Sequence, residues 1–155
     1  MRNLTDYLIA ESSDDVKSKI EKIVKAEGYA GTKGDHLKLF RMSSEIAKSL
    51  NMASTAVFAC ELTEDDFQMH KLGGHKHDEI PPMWFGPALY KNQKVLMYID
   101  LSDTDAKIQN LLLKFILEKK IFGHTWSNVS FIVNIGDEEN ISGPILSKIK
   151  PIIEV

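Results

Sequence analysis

The stretch Gly28-Tyr29-Ala30-Gly31-Thr32-Lys33-Gly34-Asp35 approaches the spacing of a phosphate-cradling loop. A working loop of that kind reads G-x-x-x-x-G-K-[ST]: backbone N–H groups surround the phosphates, the lysine offsets the charge of the β- and γ-phosphates, and the hydroxyl binds Mg²⁺. Laid on Gly28 without gaps, the second glycine becomes Lys33, the lysine becomes Gly34 and the hydroxyl becomes Asp35. Lys33 obstructs the close backbone approach and Gly34 supplies no cation. Asp35 brings a carboxylate to a helix N-terminus that would otherwise attract phosphate. ATP hydrolysis through this stretch is not expected. A second reading needs no cradle: Gly28 stops a helix, a turn runs through Gly31 and Gly34 with the first strand missing or rebuilt, and Asp35 caps the helix that follows.

Three further groups could do chemistry. His70, His75 and His77 lie among Asp65, Asp66, Asp78 and Glu79, and His-x-His on a loop can hold Zn²⁺ or Ni²⁺; the competing reading is a solvated loop around a flexible Gly-Gly pair. Trp84 and Phe85, set among prolines, read either as an aromatic anchor for a partner or as a plug that pins a long loop to the core. Asp100 ends a continuous apolar run, the place where a strand meets solvent and a carboxylate can hold Mg²⁺ or bond to backbone N–H groups. Cys60, the single cysteine, reads as a small buried hydrophobe.

The elements that must position these residues come from periodicity. Val16, Ile20, Ile23 and Val24 predict a helix over Ser13 to Glu27, stopped at Gly28, within an N-terminal helical segment of about 1–27. A second helix is predicted from Asp35 to Asn51, its apolar face made by Leu37, Phe40, Ile46, Ala47 and Leu50. Thr55 to Leu62 reads as a strand, about 63–93 as a long loop, and Val95 to Asp100 as a central parallel strand. A helix capped by Asp103 or Thr104 follows, then a strand over Val129 to Ile135, a short helix over Ser142 to Ile149 and a last strand over Ile152 to Val155. This alternation predicts one α/β domain over 1–155 with a mostly parallel sheet. At 155 residues and 43% hydrophobic content the chain supports one core. A net charge of -3 with scattered lysines and arginines gives no footprint for nucleic acid. There is no apolar run of membrane-spanning length, the N-terminus is polar, and the lone cysteine forms no internal disulfide, so a soluble cytoplasmic protein is expected.

The order of motifs in the C-terminal half resembles the large subdomain of AAA+ ATPases of the P-loop NTPase superfamily, in its MoxR-like branch. The resemblance rests on the strand ending in Asp100, the helix containing Gln109-Asn110-Leu111-Leu112-Leu113, Phe131-Ile132-Val133-Asn134-Ile135-Gly136-Asp137, and Leu146-Ser147-Lys148 before Ile152-Ile153-Glu154-Val155. Asp66, Gly73 and Pro81-Pro82-Met83-Trp84-Phe85-Gly86-Pro87 fit the loop between that branch's second and third strands. The resemblance implies a three-layer fold, with the first strand and phosphate loop degenerate or missing and the helical lid absent. It also implies degenerate catalytic positions. The catalytic glutamate after Asp100 is Leu101, which cannot act as a base. The sensor asparagine corresponds to Asp137, with Asn134 nearby and facing away, and the arginine finger to Lys148, which lacks the planar fork that grips phosphate.

The function expected from this is a catalytically inactive, pseudo-ATPase domain that needs no cofactor and acts as a binding or regulatory protein. Its partner would be another copy or an active AAA+ paralogue. The alternatives are weak nucleotide binding with residual hydrolysis, Lys33 or Lys148 standing in for the missing cation, and metal binding by the His70 to His77 loop.

Overall fold

The computed structural model describes residues 7–9, 13–68, 70–71, 79–80, 82–90, 92–136, 141–149 and 152–155. Their elements, in chain order, are β1 (Tyr7–Ile9), α1 (Ser13–Glu27), β2 (Tyr29–Lys33), α2 (His36–Ser49), β3 (Ala53–Phe58), β4 (His70–Lys71), β5 (Glu79–Ile80), β6 (Val95–Asp100), α3 (Ala106–Glu118), β7 (Lys120–Ile121), β8 (His124–Thr125), β9 (Val129–Asn134), α4 (Gly143–Lys148) and β10 (Ile152–Glu154). Six strands form one sheet in the order β1-β10-β2-β9-β6-β3, and every pairing in it is parallel. The short β4-β5 and β7-β8 pairs are separate antiparallel ribbons.

Because side chains alternate along a strand, each face of the sheet collects every second residue. Leu96 and Tyr98 of β6 join Ile132, Ala30 and Ile153 beneath α1 and α2. Val95, Met97 and Ile99 join Phe131, Val133 and Ile152 beneath α3 and α4. All six residues of β6 are buried, as expected of a strand covered by helices on both faces. The result is a three-layer α/β fold of the P-loop NTPase type.

Several expectations are corrected. The first strand is neither missing nor replaced by a turn: Tyr29–Lys33 lies inside the sheet between β9 and β10. Residues 7–9 are an edge strand and not part of a helical segment. On α2 the buried face is Leu39, Met42, Ser43, Ile46 and Ala47, whereas Leu37 and Phe40 are exposed. α3 is capped by Asp105, whose carboxylate accepts from the Lys107 amide. β3 ends at Phe58, and the 3-10 turn that follows leaves Cys60 exposed.

Candidate functional site

In an open parallel sheet, ligands sit beyond the carboxyl ends of the strands, where helices begin and their free N–H groups point outward. Here Thr32, Asn134, Asp100 and Phe58 stand abreast at that edge, fixed by the register of β2, β9, β6 and β3. The connection from β2 to α2 is decisive. β2 ends at Lys33 and α2 starts at His36, which leaves Gly34 and Asp35 between them.

That short turn is also closed from the sheet side. Asn134 is fully buried; its side-chain oxygen accepts from the Gly34 amide at 3.2 Å and its Nδ2 donates to the Gly34 carbonyl at 3.1 Å. One side chain thus satisfies both backbone polar groups of Gly34, so Asn134 faces the turn and not away from it. Gly34 also permits a close approach of the chain end, since a Cβ there would stand 2.7 Å from the Val155 carbonyl oxygen. Asp35 accepts from the Lys38 amide at 3.0 Å and serves as the N-cap of α2.

Tyr98 fills the space beside this turn. Its ring is buried and packs edge-on against Phe40, and its hydroxyl donates to the His36 carbonyl at 3.5 Å. Burial pushes its phenol far above the ordinary tyrosine value and the Asp100 carboxylate adds to this; a hydrogen bond with Asn134 opposes the shift, and Asp35 reinforces it. Asp100 is buried and accepts from the Ser102 amide at 2.9 Å, an Asx turn leading into the next loop. Leu101 is 1% exposed and lies in the core under α3, where a carboxylate would have no water to activate.

The remaining sequence-derived residues do not converge on this edge as a site. Gly28 follows α1 with φ +81, the left-handed stop of that helix. Gly31 is within β2, where a Cβ would stand 2.7 Å from the Ile149 carbonyl oxygen. Lys33 is the last residue of β2, level with Glu154. Lys148 is exposed in the last turn of α4, and its carbonyl accepts from the hydroxyl of Tyr29, the first residue of β2. It precedes the start of β10, which pairs with Gly31 of β2, and so lies toward the amino end of that strand. Phe85 is 1% exposed, enclosed by Phe115, Phe122 and Trp126, and Trp84 donates its indole N–H to the Asp66 carbonyl at 2.6 Å. The pair plugs the long loop into the core. His75, His77 and Asp137 lie outside the described residues, as does the side chain of His70; no metal-like cluster occurs among the described residues.

Two contributors were missed by sequence reasoning. Asn134 was misjudged in direction, although its place at the end of an apolar strand level with Asp100 is a usable signal. Gln109 is buried and donates to the Thr104 carbonyl while accepting from the Ser142 amide, so it ties the start of α3 to the start of α4. The charge of the edge is a third feature: Asp35, Glu61, Glu64, Asp65, Asp66, Asp100, Asp103 and Asp105 follow the ends of β2, β3 and β6. Lys33, Lys38 and Lys107 oppose them. Among the described residues of these connections, carboxylates outnumber lysines.

No family model matches the sequence, and no curated protein is similar to it. Solved structures do resemble the fold. A variant of RuvB from Thermotoga maritima superposes with a TM-score of 0.56 at 14% identity, covering 93% of this chain and 45% of that one. A second RuvB variant gives 0.55 at 16% identity, with 96% and 49% covered. NtrX from Brucella abortus gives 0.51 at 12% identity, with 99% and 38% covered. This chain thus spans less than half the length of each. The likeness is one of fold, a P-loop NTPase-like α/β domain.

Proposed function

We propose that this protein is an ATPase-fold domain without ATPase chemistry, acting as a binding or regulatory module. The observation that carries the reading is the two-residue Gly34-Asp35 connection held by the Asn134 side chain. A phosphate cradle requires a run of free backbone N–H groups between strand and helix, and here the Gly34 N–H is bonded to Asn134 and the Lys38 N–H to Asp35. The core position of Leu101 and the buried Asp100 bonded to its own loop support the same reading.

The degeneracy reads as that of the MoxR-like branch, and the partners proposed are further copies of the chain or an active AAA+ paralogue. Residual nucleotide binding through Lys33 or Lys148 is the competing reading. Titration with ATP, with and without Mg²⁺, separates them, because a ligand that binds the native state raises its apparent stability. The proposal expects no Mg²⁺-dependent stabilisation and no phosphate release above the buffer rate. Saturable, Mg²⁺-dependent stabilisation that is lost in Lys33→Ala would overturn it. Sedimentation of the isolated chain, alone and mixed with a candidate paralogue, tests the partner half of the proposal.

A further inference from the structure

The amino edge of the sheet differs in both shape and charge from the carboxyl edge. A cleft of about 390 Å³ opens there between the end of α1, the turn after α2 and the start of β9. Its apolar floor is Val24, Leu50 and Met52, and its rim is Lys25, Lys94 and the Ser127 to Ser130 segment. Among the described residues no carboxylate lines it. Lys119 lies close by: its ammonium nitrogen is 3.5 Å from where a Cβ on Gly28 would stand, and the Gly28 carbonyl accepts from Phe131, the residue after Ser130. Lys25, Lys94 and Lys119 have no ion-pair partner among the described residues.

We infer that this cleft is a binding site for a small organic phosphate, with the phosphate held by Lys25, Lys94 and the Ser127 and Ser130 hydroxyls and an apolar body resting on Val24, Leu50 and Met52. The volume falls in the range of small-molecule sites, and the pattern of an apolar floor with a few convergent polar groups is the usual one. Lysine suits phosphate as a mobile point charge, and unpaired cations around a concave surface concentrate their field inside it. Asn128 holds the rim in place by donating to the Gln93 carbonyl at 2.8 Å, which fixes the β9 start against the segment carrying Lys94. The inference is independent of whether the carboxyl edge binds nucleotide.

The test uses the whole chain, isotopically labelled, titrated with phenyl phosphate at low salt and followed by amide chemical shifts. The expected result is a saturable shift confined to residues around Lys25, Met52, Lys94 and 127–130, weakened about tenfold or more in a Lys25→Gln/Lys94→Gln double variant and weakened again by added salt. Inorganic phosphate, lacking the apolar body, is expected to bind the same residues less tightly. Both lysines are exposed, so the double variant should fold as the parent does. Arg41→Gln, on the outer face of α2, serves as the charge control and should bind as the parent does. Absence of shifts at 127–130, equal binding by the double variant, or equal losses in the double variant and the control would each overturn the inference.

Discussion

The two ends of one sheet have exchanged the properties that the fold ordinarily gives them. At the carboxyl edge the start of α2 should attract anions, yet Asn134, Tyr98 and Asp35 occupy that ground and carboxylates surround it. At the amino edge, helix C-termini carry partial negative charge and should discourage anions. There the surface is concave and carries lysines that have no ion-pair partner among the described residues. The comparison shows that a fold supplies positions and dipoles, while side chains decide which end has room and charge for a ligand.

The most disruptive way to probe this difference is to return a carboxylate to the carboxyl edge. Leu101→Glu should cost on the order of 4 kcal/mol, because the side chain enters the core without a partner, and should yield no ATP hydrolysis; urea denaturation and a phosphate-release assay check both parts. A variant as stable as the parent would mean that Leu101 borders a wet site. Next in size is Asn134→Ala, expected to cost about 2 to 3 kcal/mol because the Gly34 N–H and carbonyl lose their partner together. The matching change at the amino edge, Asn128→Ala, removes a partly exposed contact and should cost about 1 kcal/mol. Equal losses in the two would erase the contrast between a closed edge and an open one. Gly31→Ala should cost about 1 to 3 kcal/mol through crowding against the Ile149 carbonyl, whereas a glycine in an open loop would tolerate the change.

The smallest effect is one of pH. Tyr98 has its phenol pushed above the value it takes in the unfolded chain. The folded protein therefore retains that proton while the unfolded chain loses it above a pH of about 10. The stability that this proton linkage contributes is fully present below that pH and is lost as the pH rises beyond it. Tyr98→Phe should make the stability curve less steep in that alkaline range and leave it nearly unchanged in slope near neutrality. Identical alkaline slopes would place the phenol in solvent.

Much of the frame was legible because its signals are long and periodic. The Ser13–Glu27 helix and the Val95–Asp100 strand match the observed elements, since each has enough residues for its period to show. β2 was obscured because Tyr29-Ala30-Gly31-Thr32-Lys33 has few large apolar residues: Gly31 is needed for close contact with Ile149, and Thr32 is buried with its hydroxyl bonded to the Val133 carbonyl. β1 has three residues, too few for any period. The direction of Asn134 and the exposure of Cys60 depend on where β9 and β3 end, and strand ends are set by neighbouring strands as much as by local sequence. The amino-edge cleft joins residues from four separate segments, so no local pattern announces it.

The two edges of the sheet are distinguished by where an anion binds. Amide chemical shifts of the labelled chain, titrated with Mg²⁺-ATP, test this most directly. The prediction is no saturable change at Gly34 to Lys38 or at Asn134, with any shifts that appear confined to the amino edge around Lys25, Lys94 and 127–130. Saturable shifts centred on Gly34 to Lys38 that require Mg²⁺ would show a working nucleotide site at the carboxyl edge and contradict the account.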